Sequence, residues 1–288
     1  MKQDVLPVIL GTEDGAYALA HAFYHDYGII PLVLDEKLPP LFSHTFSAYA
    51  CEVKNFRKSD IFYRTLEDIA GKAKGKSLIL IPANAEYLSL TLQRKGELSK
   101  MFLMPHLPTP SADALPNAPV ALALLYRTGA GECRTVFSRV LAKSPSGSVT
   151  ALLAEPISKD VDERIKAEAK VLRRGVYLFY LDKEDKICRE ASVLPALIAF
   201  CAAKDASIPE WMIAETVLCV PLPETQAELS GVFTLFPYGK TRRYLSRAQR
   251  RALRFRQKCA LYTFKEEGVR RDIARVFRAL YREHIKEK

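Results

Sequence analysis

Three short, almost wholly apolar runs, Leu6 to Leu10, Ile29 to Leu34 and Ser77 to Ile81, punctuate the first eighty residues, with helical stretches between and after them. A strand that is apolar on both faces must be covered on both, and this is the condition of a buried parallel strand flanked by crossover helices. The first run ends at Gly11, Asp14 can cap a helix from Gly15 to Tyr27, and Gly28 supplies its stop. Ser43 to Ala50 reads as a loop or short helix, and Glu52 to Asn55 as a short strand. Ser59 to Lys74 follows as a helix with Phe62, Leu66, Ile69 and Ala70 on its buried side, and Ala85 to Arg94 as another after Pro82, Ala83 and Asn84. The first hundred residues therefore predict a small doubly wound parallel sheet.

The pattern then changes. Pro105, Pro108, Pro110, Pro116 and Pro119 crowd into a stretch with little periodicity, which reads as a linker over 105–119. Beyond it Val120 to Tyr126 and Cys133 to Leu141 predict a hairpin about Thr128 to Gly131, and Thr150 to Ala154 a further strand. Asp160 to Arg174 reads as a charged amphipathic helix ending at Gly175. Val176 to Leu181 and Lys186 to Glu190 follow as paired strands, and Val193 to Lys204 as a buried helix. The fold class expected is α/β, with residues 1–104 a small doubly wound sheet, 120–239 an α+β lobe and 240–288 a basic helical tail.

Charge separates this tail from the rest. Of the 43 Lys and Arg and 33 Asp and Glu, residues 240–288 hold 17 and 5, a balance of +12 that leaves −2 for everything before. Such an end can serve nucleic acid, an anionic surface, or only solubility. Arg242, Arg243, Arg247, Arg250, Arg251 and Arg254 form its densest part. Ile273, Val276, Phe277, Leu280 and Tyr281 fall at helical spacing, so Arg270 to Lys288 reads as an amphipathic helix docked on the body. A solvated packing face ranks above nucleic-acid binding here, since no recognised RNA-binding motif accompanies the charge.

The longest apolar runs, Ser77 to Ile81 and Val193 to Ala203, fall short of the roughly 20 residues that span a bilayer, so no membrane role is expected. The N-terminus lacks the apolar core of a signal peptide, and the six cysteines are scattered without metal-ligand spacing. Reduced thiols and a cytoplasmic location are the expectation.

Two turns hold the candidate small-molecule residues. Gly11-Thr12-Glu13-Asp14-Gly15 lies between a strand and a helix, where backbone N–H groups can meet an anion, although Glu13 and Asp14 oppose a phosphate and tight turning with capping accounts for the same residues. Asn84, Glu86 and Tyr87 follow the third strong strand, at the edge where open α/β sheets bind ligands; a capping Asn and a solvent-facing Glu are an equal explanation. Among Asp182, Glu184, Asp185 and Glu190, only Glu190 ends a strand in the manner of a metal ligand. His21 and His25 share a helix face and read as a surface pair.

The order of these elements resembles a known family. Pro7 to Gly11, the helix AYALAHAFYHDYGI and the run LILIPANAEYLSLTLQRKGEL look like the pre-ATP-grasp domain of ATP-grasp carboxylate–amine ligases, in particular the D-aspartate ligase-like group. That group's third strand ends in a Gly-Asp-Asn-Tyr type sequence, matched here by Asn84 to Tyr87. The hairpin after the linker, the helix through Lys170, the strands ending in Glu190 and the tail PYGKTRRYLS are similar to its distal ATP-grasp lobe and C-terminal extension. The resemblance implies ATP and Mg²⁺ as cofactors.

The departures point the other way. Between Pro105 and Asn117, where the family inserts its nucleotide-covering subdomain, this chain has a dozen proline-rich residues. The family's first metal carboxylate falls near Leu178, its Glu-x-Asn reads Glu190-Ala191-Ser192, and its arginine is matched by Leu194 or Pro195. One phosphoryl clamp is worth roughly 10³ to 10⁵ in rate. The resulting expectation is a non-catalytic ATP-grasp-like protein that needs no cofactor and binds a small ligand at Gly11, Thr12, Asn84, Glu86 and Tyr87, or a partner such as an intact ligase or a second copy. The alternatives are an active ATP-dependent carboxylate–amine ligase, with metal on Glu190 and an amino acid at Asn84 or Glu86, and a nucleic-acid module working through Arg242 to Lys258.

Overall fold

The computed structural model describes residues 4–39, 42, 45–104, 121–143, 149–154, 157–182, 187–190, 208–220, 231–234, 245–254 and 258–260. The first part is β1 (Val5–Leu10), α1 (Asp14–Tyr27), β2 (Leu32–Asp35), β3 (Tyr49–Glu52), α2 (Ser59–Lys72), β4 (Ser77–Pro82), α3 (Ala85–Gln93) and α4 (Lys95–Leu98). Its four strands are all parallel in the order β3-β2-β1-β4. Val8, Leu10, Leu34, Leu78 and Leu80 face a core with Phe62 and Leu66 of α2 and Tyr87 and Leu98 beyond β4. Strand alternation puts Ile9, Val33, Ile79 and Ile81 on the other face, where they are equally buried, and α1 packs against β1. The double covering inferred from the apolar runs is present.

Two local expectations shift, and the helix stop expected at Gly28 holds. Glu13, not Asp14, is the residue that precedes the first turn of α1, and it makes no side-chain cap because its carboxylate is turned toward Asn84. Gly28 ends α1 at φ 65°, the left-handed conformation that frees a C-terminal cap from Cβ strain. β3 runs over Tyr49–Glu52 instead of starting at Glu52, because its register aligns Leu32 with Tyr49 and Asp35 with Glu52, after which the chain bends through Asn55 at φ 59°.

The second part is a seven-stranded sheet in the order β11-β10-β7-β6-β5-β8-β9, antiparallel except where β10 meets β11. Its strands are β5 (Ala121–Arg127), β6 (Cys133–Lys143), β7 (Val149–Ala154), β8 (Gly175–Leu181), β9 (Ile187–Glu190), β10 (Gly231–Thr234) and β11 (Lys258–Ala260). Helix α5 (Lys159–Ala169) stops before the expected Arg174, and Gly175 opens β8 rather than ending a helix. Ile165 and Ala169 of α5 and Leu172 beyond it cover Ala121, Ala123, Leu125, Tyr177, Phe179 and Leu181 on one face of the sheet.

On another side, α6 (Ile208–Ile213) continues into a π-helical turn, Ala214–Leu218, and places Trp211 against Tyr126 with ring centres 5.6 Å apart. The same helix touches α1, so it joins the helical layer of the first sheet to the second sheet. A last short helix, α7 (Arg247–Ala252), lies over β7 and β10. No helix among the described residues is long and apolar enough to cross a membrane. Cys51, Cys133 and Cys219 are free thiols. The linker over 105–119 and the helices read at 193–204 and 270–288 lie outside the described residues.

Candidate functional site

The sheet order makes the site. The chain steps from β1 outward to β2 and β3 and then returns to place β4 on the far side of β1, so the carboxyl ends of β1 and β4 flank the point where the winding reverses, the usual ligand crevice of such sheets. Gly11 leaves β1 at φ 107°, and a Cβ there would lie 2.6 Å from Glu13 Oε2 and 3.0 Å from Asn84 Nδ2. A side chain at this position would therefore displace the two groups that close the crevice.

Asn84 binds on both sides of that crevice. Its Oδ1 accepts the Tyr87 N–H at 2.8 Å, capping α3, while its Nδ2 donates to Glu13 Oε1 at 2.7 Å. One strand further, Asp35 ends β2 and is 7% exposed. Its Oδ2 accepts from Thr12 Oγ1 at 2.6 Å, and its Oδ1 accepts from Tyr87 OH at 2.7 Å and from the Glu36 N–H at 2.7 Å. Three donors make Asp35 a satisfied, fixed anion. Arg57, entering α2, reaches Glu36 at 3.4 Å and Glu86 at 3.3 Å.

These groups border a cavity of about 510 Å³ lined by Thr12, Glu13, Asp35, Glu36, Lys37 and Arg57, with Leu38 and Pro39 as its apolar wall. Glu13 is an exposed residue overall, yet its carboxyl end is hemmed in by Asn84 and the Gly11 backbone. Loss of water there pushes its pKa above the ordinary glutamate value; the Asn84 hydrogen bond works against this, and Asp35 adds to it. Burial, then the Asp35 bond, raises the Tyr87 phenol, and Glu86 raises Arg57 further. Tyr87 is thus a neutral donor and Arg57 a lasting cation. The cavity offers carboxylates beside two cations, the arrangement that suits a zwitterion carrying an ammonium and a carboxylate.

Of the residues singled out in the sequence, Gly11, Thr12, Asn84 and Tyr87 converge here, from segments up to 76 positions apart. Thr12 alone among them lines the cavity; Gly11 and Asn84 shape its edge, and Tyr87 lies fully buried behind Asp35. Glu86 is exposed and tied to Arg57. Glu13 enters as a cavity wall, although the sequence treated it only as an obstacle to phosphate. Asp35, Lys37 and Arg57 were missed; the one available signal was a charged residue closing an apolar strand, as Asp35 does.

Glu190 belongs to the other sheet, at the end of β9, and its register partner across β8 is Leu178. The position expected to match the family's first metal carboxylate is therefore in register with Glu190 and is a leucine. Among the described residues no three His, Cys, Asp or Glu gather where they could hold a metal ion. His21 packs beside Tyr17 at 6.1 Å. Arg247, Arg250, Arg251 and Arg254 are exposed on and just beyond α7, while Arg242 and Arg243 lie outside the described residues.

No protein-family model matches the chain. A D-aspartate ligase of Enterococcus faecium is 27% identical over 110 residues, 36% of this chain and 26% of that protein. The match thus spans about a quarter of that relative's length. The urea carboxylase of Kluyveromyces lactis superposes over 81% of this chain and 23% of its own, with a TM-score of 0.53 at 12% identity. The biotin carboxylase of Campylobacter jejuni covers 78% of this chain and 74% of its own, with a TM-score of 0.52 at 8% identity.

The α/β architecture resembles that of these two carboxylases, which is ATP-grasp-like. The likeness is one of fold alone, a parallel sheet followed by a largely antiparallel one.

Proposed function

We propose that this chain acts as an ATP-dependent carboxylate–amine ligase, with an amino-acid-like substrate held in the cavity at the carboxyl edge of the first sheet. The carrying observation is the pairing within that cavity of Glu13 and Asp35 with Lys37 and Arg57. The match to a D-aspartate ligase and the ATP-grasp fold support the same reaction class.

In this reading Lys37 and Arg57 hold the substrate carboxylate, and Asp35, fixed by Thr12 and Tyr87, faces its ammonium. An amine attacks only after losing a proton. Glu13, whose pKa is raised at the crevice, is the base placed to take it. ATP is consumed as co-substrate to activate a carboxylate, giving ADP and phosphate as the amide forms. No step is assigned to a divalent cation, since Leu178 offers no ligand opposite Glu190.

ADP release measured with ATP, magnesium and a panel of amino acids tests the reading. The expected result is release that depends on one amino acid and falls about 10²- to 10⁴-fold in Glu13→Gln, the range of a lost general base. Absence of ADP release with every amino acid would overturn it.

Leu178 opposite Glu190 favours a second reading, a non-catalytic binder that keeps the cavity and accompanies an intact ligase. Its signature is calorimetric binding of an amino acid that Arg57→Ala abolishes, with no ADP formed.

A further inference from the structure

Helix α7 has only six residues, too few to persist alone, and the structure secures it at both ends. Ser246 and Gln249 close a capping box, the Gln249 N–H donating to Ser246 Oγ at 3.2 Å and the Ser246 N–H to Gln249 Oε1 at 2.8 Å. Leu245 and Leu253, each 3% exposed, insert beside Ala151 and Val232 of the sheet, and Gln249 Nε2 donates to the Leu141 carbonyl at 3.3 Å. With about 3.6 residues per turn, these anchors fall on one side of the helix, Arg247 and Arg251 on the opposite side and Arg250 on the flank, with Arg254 just beyond its end. All four arginines are exposed.

The sequence alone ranked this segment as a solvated packing face. The packing face is the leucine side, and the arginine side is left over. Arg247, Arg250 and Arg251 meet no carboxylate among the described residues. Between Glu228 and Glu266 the chain carries ten Lys or Arg and no Asp or Glu, so no acid adjoins them in sequence. A row of like charges held on one helix repels itself, and an anionic partner relieves that repulsion.

The chemistry of that partner is narrowed by what the face lacks. A bilayer-bound helix inserts apolar side chains, whereas the large apolar residues of the described segment 245–254, Leu245 and Leu253, are both buried. Guanidinium forks match phosphate oxygens in two-point hydrogen bonds, and among the described residues 245–254 no large apolar side chain is exposed beside them. We propose that the exposed face of α7 binds nucleic acid through its phosphodiester backbone, with Arg247, Arg250 and Arg251 each contacting phosphate and no base being read. This site is separate from the cavity and does not depend on the ligase reading.

The test is fluorescence anisotropy of the full chain with a labelled mixed-sequence 20-nucleotide RNA across a salt series. Each phosphate contact on a single strand contributes about −0.7 to the slope of log affinity against log salt, so replacing all three arginines by Gln makes the slope shallower by about 2. Raising salt from about 50 to about 200 mM then costs the unaltered chain about 20-fold more affinity than the variant. The three-fold Arg→Lys variant keeps the steep slope, and Arg250→Gln alone removes about 0.7 of it, which holds the reading even where the triple variant melts early. No RNA binding at about 50 mM salt, an unchanged slope in both Gln variants, or capture of anionic phospholipid vesicles or an acidic peptide in place of RNA would overturn the proposal.

Discussion

Asp35 shows how one residue organises the site. It is nearly buried, and a buried carboxylate is tolerated only when donors satisfy it. Thr12, Tyr87 and the Glu36 N–H do so. Removing the phenol in Tyr87→Phe keeps the ring packed against Phe56 and Phe62 but leaves a charged acceptor short of a donor. We expect a loss of about 1–3 kcal/mol in urea unfolding. An unchanged midpoint would show that water replaces the hydroxyl. Glu13 has the opposite character. Its folded pKa lies above the unfolded one, so the native state binds the extra proton; its contribution is complete below the ordinary glutamate value and is lost as pH rises through the raised value. Stability should therefore decline with pH across that window, and Glu13→Gln should flatten the decline. Matching pH profiles for the two proteins would contradict this placement of the carboxyl group.

Among elements, α6 has the widest structural role, since it meets α1 and also carries Trp211 onto Tyr126 of β5. Trp211 is the chain's sole tryptophan and is 1% exposed, so its emission reports this contact directly. Tyr126→Ala removes a fully buried ring and should cost about 3–5 kcal/mol with a red shift of the native emission. Unshifted emission would mean that other contacts keep water from the indole. Legibility differed by element for physical reasons. β1 and β4 were plain because both faces are buried, whereas β3 is a largely exposed edge strand with no apolar pattern to mark its start. The reading of α5 ran too long because Lys170 to Arg174 keeps the helix's charged texture, while in the fold Val171 is 84% exposed and the chain is already turning.

At the scale of the molecule, the double-covered parallel sheet, the hairpin after it and the concentration of positive charge after residue 239 are all written in the order of residues. These depend on local periodicity and composition, which every short window displays. The site comes from contacts between distant segments. Tyr87 and Asp35 are 52 positions apart and Asn84 and Glu13 are 71 apart, and they meet because β4 returns beside β1 rather than beside β3. The arginine face of α7 likewise emerged only when Leu245 and Leu253 were seen to take the buried side. A window of sequence records which side chains are available; strand order and the choice of which helix face is buried are properties of contacts between distant segments, and no single window contains them.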